Sequence, residues 1–313
     1  MARKKIALIG AGNIGGELAA QIARKELGDV VLFDIAAKEG LCKGKALDLM
    51  QDGGVTGFDC KITGTSNWAD CRGADVIIIT AGVPRKPGQS RDDLIGINLP
   101  IIRDVAKNAK ECCPNAIAIV ISNPLDVMVY EFKKTTGWGR ERVLGMAGIL
   151  DTARFSYFVA DAAGVSVKDV RTVVMGGHGD QMVPLTSFTT INGAPVAQFL
   201  SKETLDAIVK RTAGGGGEIV KLMGTSAWYA PASAAIQMME AIFHDSKRML
   251  PCSIELSNEY GGGYKGLFLG VPVVLGTKGM EKVIELPISP AEKELMDKSA
   301  KAVREVVEVA NKM

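Results

Sequence analysis

The sequence feature that most constrains the fold is a glycine-rich turn placed between an apolar run and a helical pattern. The apolar run is Lys5–Ile9, and the helical pattern that follows includes Leu18 and Ile22. In a strand–turn–helix unit, three glycines at this spacing permit a tight turn, close approach of a pyrophosphate and packing of the helix on the strand. Because a helix N-terminus also attracts an anion, the whole turn is predicted to hold a dinucleotide: Gly10, Ala11, Gly12, Asn13, Ile14 and Gly15.

A carboxylate nineteen residues after the last of these glycines indicates which dinucleotide is bound. Asp34 ends a second apolar strand pattern at residues 30–33. An aspartate in this place accepts hydrogen bonds from the ribose hydroxyls and would repel a 2′-phosphate. The next residue is Ile35 rather than an arginine, so NAD is favoured over NADP. The alternative is a plain glycine turn followed by an aspartate that caps a strand.

Strand and helix patterns continue to alternate through the first half of the chain. Residues 76–79 and 116–122 are continuous apolar runs, which is typical of strands buried on both faces of a parallel sheet. Such sheets bind ligands where the carboxyl ends of their strands meet. We therefore expect a further set of strand-end residues around the cofactor: Thr80, Ala81, Gly82, Ile121, Ser122 and Asn123.

The pattern changes after residue 145. Short alternating runs at residues 182–191, a turn at Asn192-Gly193 and paired runs at 251–256 and 267–275 predict antiparallel strands. Four glycines at 214–217 are predicted to break a helix over residues 204–223. The predicted fold is therefore α/β: a Rossmann doubly wound parallel sheet in residues 1–145 binds NAD, and an α+β substrate domain with antiparallel strands follows in residues 146–313.

A histidine in a second glycine-rich turn is the candidate acid/base. His178 is one of only 2 histidines among 313 residues and has a glycine on each side. Its unperturbed pKa of about 6.5 suits proton transfer in both directions near neutral pH, although a structural histidine in a turn is the alternative. Asp151 is predicted either to cap a helix or to accept the imidazole N–H of His178. Arg154, one helical turn later, either pairs with Asp151 or binds a substrate carboxylate in bidentate fashion through two of its guanidinium nitrogens.

Residues 82–91, which we call the lid loop, connect a strand end to a helix. The segment contains two glycines, two prolines and three cations. Arg85 and Arg91 are six residues apart, and their forked guanidinium groups match carboxylates better than lysine does. We interpret the segment as a hinged lid whose arginines face a bound anion. The alternative is a solvated basic loop.

The charge balance and the cysteine spacing argue against several other functions. Lysine plus arginine, 37, nearly equals aspartate plus glutamate, 35, so no overall field recruits nucleic acid or a membrane surface. The six cysteines have neither the spacing of zinc ligands nor that of a disulfide framework, and we expect reduced thiols and no metal. The N-terminal region has no signal-peptide pattern, so we expect a cytoplasmic protein.

Six motifs occur in an order that resembles the lactate/malate dehydrogenase family over nearly the whole chain. They are GAGNIG at 10–15, Asp34, TAGVPRKPGQSR at 80–91, SNPLD at 122–126, DTARF at 151–155 and MGGHGD at 175–180. Arg85, six residues before Arg91, occupies the position that selects the substrate in this family and is typically glutamine in lactate enzymes. The chain is thus similar to the lactate-dehydrogenase-like branch of the malate dehydrogenases.

The resemblance implies NAD-dependent, reversible oxidation of (S)-malate to oxaloacetate, a reaction of the tricarboxylic acid cycle. His178 would take the proton of the C2 hydroxyl while the hydride passes to the nicotinamide, and Asp151 would stabilise the imidazolium. Arg154 would bind the C1 carboxylate and Arg85 the C4 carboxylate. Arg91 would polarise the C2 oxygen as charge develops there.

The resemblance also assigns residues outside this catalytic group. Asn123 would hydrogen-bond the C2 oxygen and, together with Asn98, hold the nicotinamide end. Ser226 matches a substrate-facing position where lactate enzymes usually have threonine. A cis peptide bond between Asn123 and Pro124 is implied, as is assembly into a homodimer or homotetramer.

Three other functions are alternatives to this one. A lactate dehydrogenase would leave the guanidinium of Arg85 unpaired beside the substrate methyl, which costs about 1–3 kcal/mol. An NAD-dependent glycosidase would need a metal held by cysteine and histidine, and no cysteine lies close in sequence to His178. A non-catalytic NAD sensor would be expected to lack the histidine, its aspartate or an arginine.

Overall fold

The computed structural model describes residues 3–84 and 91–313, without the side chains of residues 91 and 92. Within these ranges the helices are α1 (Asn13–Arg24), α2 (Glu39–Thr56), α3 (Arg91–Cys112), α4 (Leu125–Thr136), α5 (Gly148–Ala163), α6 (Lys202–Met223), α7 (Tyr229–Phe243) and α8 (Pro290–Asn311). The strands are β1 (Lys5–Ile9), β2 (Asp29–Phe33), β3 (Ile62–Thr65), β4 (Val76–Ile79), β5 (Ile117–Val120), β6 (Val143–Gly145), β7 (Val170–Arg171), β8 (Val174–Met175), β9 (Val183–Pro184), β10 (Thr190–Ile191), β11 (Ala194–Pro195), β12 (Arg248–Glu255), β13 (Phe268–Gly276) and β14 (Gly279–Val283).

A nine-stranded sheet organises the described chain. Six parallel strands lie in the order β3-β2-β1-β4-β5-β6, so the first half has the predicted doubly wound topology. The order reverses between β1 and β4, and in such sheets this switch point forms a crevice at the carboxyl ends of the strands. Residues 76–79 are fully buried, as expected of a strand covered on both faces. The topology thus brings Gly10 and Thr80 together at the predicted cofactor site.

The antiparallel strands predicted in the second half are confirmed, and the longest of them extend the main sheet. β12 pairs antiparallel with β6, and β13 and β14 follow it. The short strands form two small sheets, β8-β9 and β7-β10-β11, the latter containing the hairpin whose turn is Asn192-Gly193. A separate apolar cluster under these sheets includes Phe155, Ile191 and Leu205. In the described ranges no helix is long and apolar enough to cross a bilayer.

The predicted helix break at residues 214–217 is wrong, because α6 continues through all four glycines. Each glycine costs about 1 kcal/mol relative to alanine within a helix. Two features stabilise the helix against this cost: the Ser201 side chain caps its N-terminus, and its apolar face buries Leu205 and Ile208. Tertiary packing therefore outweighs local propensity, and one of the four glycines, Gly215, is itself buried.

Candidate functional site

The three glycines of the first turn have different structural roles. Gly10 has φ +120°, and a Cβ there would lie 2.4 Å from Thr80 Oγ1. A Cβ on Gly15 would lie 1.9 Å from the carbonyl oxygen of Gly10. A Cβ on Gly12 would meet nothing within 4 Å, so this residue faces open space. The turn is therefore tight at its base and accessible at its tip, as a pyrophosphate site requires.

Asp34 lies beside this turn at the end of β2. Its Oδ2 accepts the backbone N–H of Ala11 at 2.9 Å, and its Oδ1 accepts that of Ile35 at 2.9 Å. Lys38 Nζ is 3.7 Å away, and the carboxylate side chain is 12% exposed. Asp34 thus braces the turn from the end of β2.

Lys45, which the sequence analysis did not identify, holds the same turn from α2. Its ammonium donates to the carbonyl oxygens of Ala11 and Gly12, both at 2.8 Å. Burial lowers the pKa of Lys45, and this outweighs the opposing effect of the nearby carboxylate of Asp34. No motif spacing links α2 to the turn, so only the tertiary structure identifies this lysine.

Most of the predicted cofactor residues line one cleft, whereas Gly10, Gly15 and Asp34 lie behind its lining. Its lining includes Gly12, Asn13, Ile14, Thr80, Ala81, Gly82, Asn98, Ile121, Ser122, Asn123 and Ser226. Ala11 is fully buried under the turn and contributes through its backbone. Ser226 is contributed by the segment between α6 and α7, whose neighbours Thr225 and Trp228 also line the cleft. The second half of the chain therefore closes one side of the cleft that the first half forms.

Asn98 connects three segments around this cleft. The side chain is only 2% exposed. Its Nδ2 donates to the carbonyl oxygens of Asn123 at 2.7 Å and Val83 at 3.1 Å, and its Oδ1 accepts the N–H of Val83 at 2.8 Å. The Asn123–Pro124 bond is cis, as predicted. Asn98 thus anchors the first residues of the lid loop to the segment that ends β5.

His178, Asp151 and Arg154 form one hydrogen-bonded group. The Oδ2 of Asp151 lies 2.8 Å from His178 Nδ1, and its Oδ1 accepts from Arg154 Nη1 at 3.1 Å. Asp151 is only 2% exposed. Ala147 is the N-cap of α5, so the alternative in which Asp151 caps this helix is wrong. The buried carboxylate instead links the imidazole to the guanidinium.

The electrostatic surroundings favour the charged form of His178. Burial by itself lowers the pKa of the imidazole, but attraction to Asp151, their hydrogen bond and attraction to Asp126 together raise it above its usual value, with Arg154 opposing. The side chain is 19% exposed, so it keeps access to a ligand. The group can therefore both accept and release a proton near neutral pH.

Arg154 lies against a surface made possible by glycine. A Cβ on Gly215 of α6 would lie 2.3 Å from Cδ of Arg154 and 2.7 Å from its Nε. Arg154 Nη1 also donates to the carbonyl oxygen of Thr212 at 3.4 Å, and the arginine side chain is 12% exposed. The glycine run that predicted a helix break thus forms the seat of a candidate substrate-binding arginine.

The structure describes neither arginine side chain of the lid loop. Arg85 lies outside the described residues, and so does the side chain of Arg91, whose backbone begins α3.

A second cavity lies under the histidine turn and is lined by Pro124, Asp126 and His178, among others. Asn123 lines the first cleft and Pro124 the second, so this cis dipeptide lies between the two cavities.

Known proteins resemble the chain over its full length. The model of the lactate/malate dehydrogenase NAD binding domain matches residues 4–145, and that of the lactate/malate dehydrogenase alpha/beta C-terminal domain matches residues 149–313. A malate dehydrogenase from Sorangium cellulosum is 66% identical over 307 residues, covering 98% of this chain and 97% of that protein. One from a Roseiflexus species is 55% identical over 302 residues, covering 96% of each.

Two solved structures show how closely the backbone is shared. The crystal structure of Cryptosporidium parvum malate dehydrogenase has a TM-score of 0.95 at 45% identity, covering 99% of this chain and 100% of that one. The lactate dehydrogenase of the same organism, complexed with lactic acid and β-nicotinamide adenine dinucleotide, has a TM-score of 0.96 at 42% identity, covering 100% and 99%. Because both activities occur on this backbone, the fold alone does not separate them, and individual side chains must.

Proposed function

The chain belongs to the lactate/malate dehydrogenase family, and on that premise we propose that it is an NAD-dependent malate dehydrogenase that interconverts (S)-malate and oxaloacetate. The observation that carries the proposal is the buried pair of Asp151 and His178, with Oδ2 and Nδ1 2.8 Å apart, next to a cleft lined by the dinucleotide turn. The names of the most similar relatives support malate as the substrate.

The first cleft fits NAD. The turn at Gly12 leaves room for a pyrophosphate, and Asp34 offers a carboxylate to ribose hydroxyls while opposing a 2′-phosphate. We assign Gly10 to Gly15, Asp34, Thr80 to Gly82, Asn98 and Ile121 to Asn123 to this site. NAD, when bound, supplies the hydride acceptor for oxidation and, in reduced form, the hydride donor for reduction.

His178 performs the proton transfer in this proposal. Asp151 accepts the Nδ1–H, which fixes the tautomer and leaves Nε2 to take the proton of the malate C2 hydroxyl. The resulting imidazolium is stabilised by the buried carboxylate 2.8 Å away. In the reverse direction the imidazolium returns the proton to the C2 oxygen of oxaloacetate.

The arginines position the dicarboxylate. Arg154, held by Asp151 and Thr212, binds the C1 carboxylate through the rest of its guanidinium group. Arg91 polarises the C2 oxygen as charge develops there, and Asn123 donates a hydrogen bond to it. Ser226 borders the substrate from the other side of the cleft.

Arg85 provides the selectivity for a C4 carboxylate. A lactate or pyruvate methyl would leave its guanidinium without a partner in a desolvated site, whereas oxaloacetate supplies the counter-charge. Family membership favours a dehydrogenase over the glycosidase. The presence of the histidine, its aspartate and the arginines favours an enzyme over a sensor.

The direct test follows NADH oxidation at 340 nm with oxaloacetate and with pyruvate at matched concentrations. The proposal predicts a strong preference for oxaloacetate. A preference for pyruvate would retain the cofactor and the histidine chemistry but refute the substrate assignment. Failure to oxidise NADH with either compound would refute the proposal that this chain is a dehydrogenase.

Replacing Arg85 with glutamine tests the selectivity separately. The ratio of the kcat/KM values for oxaloacetate and pyruvate should fall, because glutamine cannot neutralise a C4 carboxylate and does not penalise a methyl. An unchanged ratio would show that Arg85 does not contact the C4 end of the substrate.

We also propose roles for the two halves of the chain, a cellular location and an oligomeric state. Residues 1–145 bind NAD, and residues 146–313 contribute most of the catalytic group. The protein is cytoplasmic. Two groups of exposed apolar side chains support a homodimer or homotetramer, since exposed apolar side chains are often covered at interfaces between subunits. One comprises Leu41, Leu47, Met50 and Val55 on α2, and the other Tyr157, Leu222, Met223 and Tyr229 around α5 to α7.

A further inference from the structure

Asp126 is a buried carboxylate that contacts the catalytic turn but has no role in the mechanism described above. It lies in the first turn of α4 and is 7% exposed. Its Oδ2 accepts the backbone N–H of His178 at 2.7 Å, and its Oδ1 accepts from Ser253 Oγ of β12 at 2.9 Å. One carboxylate thus connects the histidine backbone to two elements of the fold.

The residues before His178 are fixed from a third element. Ser299 Oγ of α8 accepts the N–H of Gly177 at 2.9 Å. A Cβ on Gly177 would lie 2.5 Å from Val303 Cγ2 and 3.2 Å from Asp126 Oδ2. The turn therefore fits closely between α4 and α8, with Asp126 as its charged contact.

The charges around His178 come from few elements. Among the described side chains, α5 contributes Asp151 and Arg154, α4 contributes Asp126, and the turn itself contributes the exposed Asp180, whereas α8 presents the uncharged Ser299 and Val303. Asp151 is hydrogen-bonded to both the imidazole and Arg154. Asp126 is consequently a second source of negative potential at the imidazole, consistent with the raised pKa of His178.

We propose that Asp126 is a positioning residue for His178: it fixes the backbone of the histidine turn while Asp151 fixes the ring, and its charge favours the protonated imidazole. A charge-assisted hydrogen bond to a backbone N–H is stronger than a neutral one. Such a bond can hold His178 in one position while its imidazole gains and loses a proton. The inference rests on the acid/base role of His178 proposed above, but its test does not require turnover.

The two histidines of the chain make a direct measurement possible. NMR of the imidazole Cε1–H groups in the full protein should show one signal from each histidine, and His244→Gln assigns the remaining one to His178. In Asp126→Asn, the pKa of His178 should fall by about 0.5–1 unit, because a nearby negative charge is lost while a hydrogen-bond acceptor of equal size remains. Asp180→Asn removes an exposed charge two residues along the turn and should change this pKa by less than about 0.2 unit.

Kinetics should report the same change. In Asp126→Asn, the pH above which oxaloacetate reduction declines should move down by the shift seen by NMR, whereas a merely structural defect would lower kcat without moving it. An unchanged pKa for His178, or a shift no larger than that in Asp180→Asn, would overturn the electrostatic role. If the wild-type protein reduced no oxaloacetate, the proposed function would fail while the NMR titration still tested Asp126.

A second variant keeps the proposal testable if the first does not fold. Asp126→Glu retains the charge but displaces the carboxylate by one methylene. The raised pKa of His178 should persist while kcat falls by roughly tenfold, because the backbone hydrogen bond is displaced. A wild-type kcat in this variant would overturn the positioning role.

Discussion

Replacing Gly215 with alanine should damage substrate binding through Arg154 alone. The added Cβ would lie 2.3 Å from Arg154 Cδ, whereas ordinary contact begins near 3.4 Å, so the arginine must move by about 1 Å. A displacement of this size can cost roughly 100-fold in rate when it affects a substrate-orienting group. We expect kcat/KM for oxaloacetate to fall by roughly 10- to 100-fold, about 1.4–2.7 kcal/mol of transition-state stabilisation.

The same helix contains matched controls for this substitution. Gly214 and Gly217 are exposed, and a Cβ on either would meet nothing within 4 Å. Alanine at these positions should raise the free energy of unfolding by about 0.5–1 kcal/mol, because glycine is the poorer helix former. Neither substitution should change the kinetics.

The assay combines steady-state kinetics with binding and unfolding. NADH titration by fluorescence should give the same Kd for wild type and Gly215→Ala, because the cofactor cleft does not include Gly215. Thermal unfolding should show that the variant is folded. A folded Gly215→Ala whose kcat/KM matches that of Gly214→Ala would refute the assignment of Arg154 as a substrate-binding residue seated on Gly215.

Two further outcomes follow from the site. Lys45→Met should raise the Kd for NADH by roughly tenfold, since the carbonyl groups of Ala11 and Gly12 lose their shared donor. The control, Lys43→Met, removes only an exposed ion pair with Glu39 on the same helix and should leave the Kd within about twofold. Equal effects of the two substitutions on the Kd would contradict the role of Lys45. The second outcome concerns pH, because the pKa of His178 is raised. Reduction of oxaloacetate needs the imidazolium, so its rate should stay constant below that pKa and decline as pH rises through it. The rate of malate oxidation should increase over the same pH range. Rate profiles in both directions measure this, and a decline in reduction centred at or below about pH 6.5 would contradict it.

Local patterns predicted the parallel sheet of the first half of the chain well. The glycine turn, Asp34 and the strand ends are each set by residues adjacent in sequence, and the alternation of buried strands and helices fixes which edge of the sheet they share. The paired runs at 251–256 and 267–275 predicted their hairpin for the same reason. Their place on the edge of the main sheet depends on pairing between β6 and β12, which no local pattern encodes.

The parts that sequence reasoning missed are tertiary contacts. Lys45 reaches the turn from α2, and Gly215 meets Arg154 across two helices. The glycine run in α6 was misread as a break because helix propensity describes an isolated segment, whereas packing of that helix decides the outcome. Asp126 offered one signal, since it closes a polar motif at the end of a buried strand, where ligands gather in such sheets.

In the proposed reaction His178, oriented by Asp151, transfers the proton that accompanies hydride transfer. The most direct measurement compares wild type and His178→Asn for NADH binding and for single-turnover reduction of oxaloacetate. We expect an unchanged Kd for NADH and a rate of reduction lowered by roughly 100- to 10,000-fold. A rate within about tenfold of wild type, with NADH bound normally, would contradict the assignment of His178 as the acid/base.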